Sequence, residues 1–242
     1  MTSNSTKEAT QGLQEQMGQI ALSGGAFRFG CADIRSLHDL QVGDPSTLDY
    51  PSAVSFAVEI PPAAAMASLT SPSEEMREAY KQCNKKLKQI GAQIVESLTA
   101  AGFQARFVDP AERIVPEKLL GPISHKAVAY LSGIGWIGKN GLLITEEHGP
   151  RFRMGTVLTN ISIVENPAPL ECQCGECTLC IDECPTKSLR GPPEYQYHPM
   201  DREEVIDWAK CGRYEKALIG DGSRPEKACG RCISVCPKSK LS

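Results

Sequence analysis

Eight of the eleven cysteines fall into two groups spaced like thiolates gathered around metal. One run is Cys174-x2-Cys177-x2-Cys180-x3-Cys184-Pro185; the other is Cys229-x2-Cys232-x3-Cys236-Pro237, with Cys211 upstream of it. Thiolates on one tight loop can reach three corners of a 4Fe–4S cube, and the fourth cysteine of such a run serves the other cluster of a pair. A residue before proline is held extended, which carries that fourth sulfur away from its own loop. The spacing therefore assigns Cys174, Cys177, Cys180 and Cys236 to one cluster, and Cys211, Cys229, Cys232 and Cys184 to a second. Such a pair moves electrons.

Two other chemistries use paired cysteines. Structural zinc takes four ligands per ion and has no use for a third cysteine followed by Cys-x3-Cys-Pro. Disulfides need an oxidising compartment. Met1–Gln16 is polar, without the apolar core or twin arginines of an export signal, so a cytoplasmic location is expected. Iron–sulfur is the reading kept, with zinc as its main rival. Cys31, Cys83 and Cys172 are surplus, and Cys172 reads as a spare thiol beside the first ligand.

The elements that must position these thiols come from the rest of the chain. Its 242 residues suffice for one large domain or two modest ones. A net charge of −3 gives no basic field that would announce nucleic acid or a membrane, and no apolar run approaches the roughly 20 residues that span a bilayer. Residues 1–165 carry two cysteines and the remainder nine. The expected boundary is Asn166-Pro167-Ala168-Pro169, between an α/β domain at 1–165 and a compact cluster domain at 166–242.

Val54, Phe56, Val58 and Ile60 alternate with smaller or polar residues, which predicts a half-buried strand ended by Pro61-Pro62. Ser71-Pro72-Ser73-Glu74 offers a capping box with the proline at the first helical position. Met76, Tyr80, Cys83, Leu87, Ile90, Ile94 and Leu98 then form one apolar stripe, and Gly102 supplies a stop. Phe103, Ala105 and Phe107 read as a strand, completing a β–α–β crossover. Ser124–Leu131 reads as a helix. Gly141–Thr145 and Phe152–Leu158 read as a hairpin around Glu146–Pro150.

Gly133-Ile134-Gly135-Trp136-Ile137-Gly138 satisfies the G-x-G-x-x-G dinucleotide pattern. That motif must follow a strand and open a helix, whereas this one follows a helix and opens a strand, so a Rossmann site is rejected. The glycines, with Gly141 and Gly149, leave two readings open. Backbone approaches a ligand beside Lys139 and Asn140, or the glycines only let Trp136 pack in a tight turn.

The segment Gly133-Ile-Gly-Trp-Ile-Gly-Lys-Asn-Gly-Leu-Leu-Ile144, continued by Gly149-Pro-Arg-Phe-Arg-Met-Gly155 and Thr159, resembles the cobalamin-binding core of the epoxyqueuosine reductases and the reductive dehalogenases. The resemblance runs from about residue 124 to the end and is weaker over 50–110. It implies a nitroreductase-like α/β domain that binds a corrinoid, followed by a ferredoxin-like domain with two 4Fe–4S clusters. It also implies corrin contacts from Gly133, Gly135, Gly138, Lys139, Asn140, Gly141, Leu142, Arg151, Arg153 and Thr156, with Thr159 behind them. Arg151 and Arg153 are expected on one face of a strand.

The chain departs from both groups. The Asp-Tyr-His element of the epoxyqueuosine reductases, whose aspartate is the proposed proton donor, has no counterpart; the nearest stretch is Arg77-Glu78-Ala79-Tyr80. The helical-repeat extension that helps hold tRNA and the dehalogenases' export signal are both missing, so the chain reads as a short relative of each. Tyr80 is the counterpart of the dehalogenases' catalytic tyrosine, against the alternative of a core tyrosine. His125, His148 and His198 are not expected to ligate cobalt. Tyr195, Tyr197 and Trp208 are expected to shield the clusters, and Asp182 and Glu183, against Lys187, Lys210 and Lys227, to tune solubility and potential.

Three functions compete. The first is a cobalamin-dependent reductase acting on a small substrate and fed by a low-potential donor of ferredoxin or flavodoxin type. The second is a corrinoid carrier, or an electron-transfer protein serving a partner's corrinoid. The third is a ferredoxin-like donor joined to a domain that binds flavin or nothing. The sequence lends no support to tRNA as a partner.

Overall fold

The computed structural model describes residues 3–40, 45–47, 49–118, 120–163, 167–168, 170–191, 202–219 and 229–241. Asn166, Pro169, Tyr195, Tyr197, His198 and Lys227 lie outside them, so the expectations placed on those residues are not addressed. In chain order the elements are α1 (Ser3–Ser23), β1 (Arg28–Asp33), β2 (Ser52–Glu59), α2 (Pro62–Ala67), α3 (Glu74–Ala100), β3 (Ala105–Val108), α4 (His125–Leu131), β4 (Trp136–Ile137), β5 (Leu143–Ile144), β6 (Phe152–Thr159), α5 (Leu179–Asp182), α6 (Trp208–Ile219) and α7 (Arg231–Ser234). The chain divides into two compact units. Unit 1 is Met1–Val58, Asn84–Ile134 and Met154–Pro169; unit 2 is Glu59–Cys83, Gly135–Arg153 and Leu170–Ser242. Packing thus groups two earlier segments with the cysteine-rich end, a different partition from the one at residue 165.

Unit 1 is built on a four-stranded sheet ordered β1-β2-β6-β3. β1 pairs antiparallel with β2, Arg28 opposite Ala57 and Asp33 opposite Ser52. β3 pairs antiparallel with β6, Ala105 opposite Thr159 and Val108 opposite Thr156. β2 is buried on both faces, Ser55 and Ala57 as completely as Val54 and Phe56. The alternation that predicts a half-buried strand fails because β2 is interior in the sheet, where small residues face packed neighbours as well. The stripe of α3 is buried along its whole length, from Met76 to Leu98. Its N-cap is Ser73, whose Oγ accepts from Met76 N at 3.1 Å, so Pro72 precedes the helix and does not open it. On α4, Ser124 Oγ accepts from Ala127 N at 3.3 Å. One core cluster joins Ala32, Ile34, Ala53, Val108, Val128 and Leu158.

Two elements of unit 1 escaped the sequence reading. Of the described side chains of α1, only Thr10, Met17 and Ala21 are buried, a stripe too thin to stand out in a polar segment. β1 carries Cys31, whose thiol is pushed up to about 12 by burial.

Unit 2 holds the hairpin β4–β5, in which Trp136 faces Ile144 and Ile137 faces Leu143. This corrects the expected pairing of β5 with β6, which lies in the four-stranded sheet between β2 and β3. The turn is closed by Gly138 N to Leu142 O at 2.9 Å and Gly141 N to Gly138 O at 2.8 Å. Two other pairings set the cysteine-rich part. α5 and α7 pack together, and Ser188–Arg190 is tied to Val205–Asp207 by Arg190 N to Val205 O and Asp207 N to Ser188 O, both 2.9 Å. Among the described residues no helix is long and apolar enough to cross a membrane.

Candidate functional site

The first thiol group is assembled by local turns and one distant return. Cys177 N donates to Cys174 O at 3.1 Å, closing a turn through Gly175. Cys180 rides on α5 and Cys236 follows α7, so the packing of those helices brings the fourth cysteine to the loop of the other three. Cys236 is extended before Pro237, with φ −69° and ψ 124°, as a pre-proline residue must be. The thiols sense one another. Burial pushes Cys180 up to about 12, and Cys174, Cys236 and Cys177 push it further in the same direction. Burial also raises Cys236, with Cys174 and Cys177 adding to it against the Lys238 amide.

Cys174 differs, sitting at about 6. A hydrogen bond from Cys172 is the largest cause; burial opposes it, and the Lys139 amide and charge and the Trp136 side chain help it. Cys172 is raised in turn, as the donor of that bond. A thiol held as thiolate is ready to bind metal. Trp136 is 1% exposed, and its Nε1 is buried without a hydrogen bond of full geometry, the Cys174 sulfur being the acceptor it faces.

The second group uses the tie between Ser188–Arg190 and Val205–Asp207, since Asp207 starts the helix that carries Cys211. Cys229 is raised by burial, and Glu215 and Cys184 add to it against the Arg231 amide. Cys184 lies below the ordinary thiol value. Burial works against ionisation there, but Thr186 Oγ1 at 3.4 Å and the Ser188 amide at 3.3 Å outweigh it. Cys232 lies on α7.

The donor set fits paired clusters. The two runs offer cysteine thiolates alone, the soft ligands that a 4Fe–4S cube takes at its corners. The buried indole N–H beside Cys174 matches the N–H···S bonds that tune such clusters.

The residues expected to meet a corrin are found doing other work. Lys139 Nζ donates to Gly175 O and, at 3.2 Å, to Cys177 O. Asn140 Nδ2 donates to Cys232 O at 3.3 Å, while its Oδ1 accepts from Leu142 N at 3.0 Å. Both therefore brace cysteine-bearing backbone. Gly135 is needed because a Cβ there would stand 2.2 Å from Ile144 O, and Gly149 because its φ is +58° and a Cβ would meet Lys238 backbone at 2.5 Å. Gly138 and Gly141 belong to the same turn.

Arg151 precedes β6 instead of sharing it with Arg153. It is 2% exposed. Its Nε donates to Ser239 O at 2.9 Å, its Nη1 to Glu59 Oε1 at 2.6 Å and to Ile60 O, and its Nη2 faces His148 Nδ1 at 3.2 Å. Arg153 lies over the ring of Tyr80, 4.8 Å from its centre. Tyr80 is 6% exposed. Burial raises its phenol and Arg153 opposes this, while Glu215, Cys232 and Cys83 reinforce it. Gly133 and Thr156 belong to unit 1, where Thr156 Oγ1 and His125 Nδ1 are 2.8 Å apart. Trp208 is half-buried, with Arg202 over its ring at 4.4 Å and its Nε1 donating to Glu203 at 3.0 Å. Sequence reasoning missed Trp136 as a neighbour of the thiols and Arg151 as a brace; only the flanking glycines hinted at the first.

The family model of 4Fe–4S double cluster binding domains matches residues 173–239. Epoxyqueuosine reductase of Pseudomonas aeruginosa is 34% identical over 167 residues, covering 69% of this chain and 42% of that protein. The chain is similar to the epoxyqueuosine reductases. It spans less than half the length of that relative. The fold is shared with a solved epoxyqueuosine reductase carrying a modified tRNA-Tyr stem loop, at TM-score 0.63 and 21% identity over 96% of this chain and 66% of that one. A reductive dehalogenase whose structure concerns B12-dependent dehalogenation gives TM-score 0.68 at 16% identity, over 92% of this chain and 31% of that one. The mixed α/β architecture with a double-cluster segment agrees with both likenesses.

Proposed function

We propose that this protein is an iron–sulfur reductase that passes electrons through two 4Fe–4S clusters to a bound cobalamin for a reductive reaction. The observation that carries the proposal is the shared surroundings of Cys180 with Cys174, Cys177 and Cys236, a fourth thiol brought from a separate run. When bound, the clusters supply single electrons and the corrinoid supplies bond-breaking reduction. Cys177 is the exposed thiol of the first group, so electrons enter there from a low-potential donor. The second group is the inner one, because Cys232 is felt by the buried Tyr80 phenol. Tyr80 keeps its proton at neutral pH and gives it up only to a strong base formed in the reaction, and Arg153 over its ring steadies the resulting phenolate.

The corrinoid reading is supported by the likeness to a B12-dependent dehalogenase. With Lys139, Asn140 and Arg151 bonded within unit 2, backbone rather than these side chains would meet the corrin. That same observation favours the second reading, an electron-transfer protein without substrate chemistry of its own. A tRNA bearing epoxyqueuosine is the first substrate to try, given the relatives' names.

The test is anaerobic purification with iron analysis and an absorption spectrum, before and after addition of hydroxocobalamin. The proposal expects roughly eight irons per chain, two clusters of four, and a corrinoid retained through gel filtration. Iron-loaded protein with no corrinoid affinity would leave only an electron relay, and zinc without iron would remove the relay too.

A further inference from the structure

We propose that Trp136 is a positioning residue for the first cluster: its indole N–H donates a hydrogen bond to the cluster-bound Cys174 sulfur and sets that cluster's potential above the value it would otherwise have. The inference rests on the reading that Cys174, Cys177, Cys180 and Cys236 hold a 4Fe–4S cluster.

Three observations carry it. The indole Nε1 is buried without a hydrogen bond of full geometry, on a side chain that is 1% exposed, and the Cys174 sulfur is the acceptor it faces. A buried N–H left unmade is costly, so such a group in a tight hairpin points to the sulfur of Cys174 as its acceptor once that thiolate holds the cluster. Second, the hairpin is pinned against the thiolate loop independently of the indole. Three residues after Trp136, Lys139 Nζ donates to Gly175 O and Cys177 O. Third, Lys238 Nζ stands 5.7 Å from the centre of the Trp136 ring and is held there by Glu146 at 2.8 Å. A cation over the ring face draws on its electron density, which makes the N–H a better donor. Gly135 and Gly138, on either side of the β4 strand that carries the ring, let that strand lie close to Ile144 of β5.

The chemical consequence follows from charge. Reduction adds one electron from the donor and so one negative charge to the cluster and its thiolates. A fixed N–H donor stabilises that more negative form over the oxidised one, so its removal moves the potential down. No proton is transferred and no bond to carbon changes.

The experiment is a redox titration, followed by electron paramagnetic resonance, of iron-loaded wild-type protein and of Trp136→Phe. The expected result is unchanged iron content, with one of the two potentials shifted negative. About a tenfold loss in the equilibrium constant for reduction is expected, which is about 59 mV for a one-electron couple. Should Trp136→Phe load poorly, 3-benzothienylalanine at position 136 keeps the shape of the indole and replaces N–H by sulfur; it must give the same selective shift. Iron-loaded variants with both potentials unmoved, or both moved equally, overturn the inference while leaving the cluster assignment standing. Wild-type protein that takes up no iron fails at the earlier step, through the cluster assignment itself.

Discussion

Replacing Arg151 with methionine removes a buried guanidinium that joins three segments of unit 2 and should release the first cluster before anything else. Ser239, whose carbonyl accepts from Nε at 2.9 Å, lies just beyond Cys236-Pro237. Its own Oγ donates to Ile233 O at 2.6 Å, so the pair anchors the end of the chain that delivers the fourth thiol. Methionine fills part of the volume but leaves the Ser239 and Ile60 carbonyls without the guanidinium, and the Glu59 carboxylate with His148 Nδ1 at 3.3 Å in its place. Breaking a buried charged pair costs about 3–5 kcal/mol. The Glu59 side chain is 39% exposed and regains water, so the lower end, roughly 3 kcal/mol, is the fair expectation. For a chain of this size that corresponds to a fall of about 6–12 °C in Tm. The assay is thermal unfolding of the iron-loaded protein, with iron counted after gel filtration. Loss of one cluster's worth of iron is expected with the lowered midpoint, and Arg151→Lys should rescue little, since one ammonium cannot serve acceptors on three sides. A methionine variant that keeps its full iron and stays within about 0.5 kcal/mol of wild type, the range of an ordinary surface change, would refute the reasoning.

Three further outcomes are expected. In metal-free protein at pH 7, Cys174 at about 6 and Cys180 at about 12 differ in thiolate content, so iodoacetamide should label Cys174 at least about tenfold faster; equal labelling by mass spectrometry would sink the claim. In unit 1, Asp109 is held below the ordinary carboxylate range: burial opposes this, but the Lys88 ammonium at 2.8 Å and the Ala111 amide outweigh it. A depressed carboxyl contributes stability above its unfolded pKa and loses it as pH falls through the folded value. Lys88→Met should therefore cost less than about 1 kcal/mol at pH 7, the pair being partly exposed, and the difference should vanish in acid below that range; a difference that persists there contradicts it. Tyr80→Phe should slow substrate-dependent reoxidation of the reduced, cobalamin-loaded protein about 10²-fold or more, with iron and corrinoid retained, and an unchanged rate would return Tyr80 to the core.

Much of this site can be read from residue order, and the reason is locality. Three thiolates on one loop are placed by the turn that holds them, so Cys174-x2-Cys177-x2-Cys180 carries its meaning without the rest of the fold. The stripe from Met76 to Leu98 is likewise a property of 3.6 residues per turn. The Gly133–Gly138 segment could be denied a dinucleotide role because the helix before it and the strand after it are local facts.

What residue order could not decide are the pairings made at a distance. Leu143–Ile144 has two strand partners of equal local merit; it takes Trp136–Ile137, while Phe152–Thr159 pairs with β3. Lys139, Asn140 and Arg151 look like ligand-binding side chains in any one-dimensional reading. Only the folded chain shows them bonded to carbonyls of Gly175, Cys232 and Ser239, in each case more than thirty positions away. A side chain's reach is local, but its partner is chosen by burial, because an unpaired donor inside a protein must find whichever acceptor the packing brings to it.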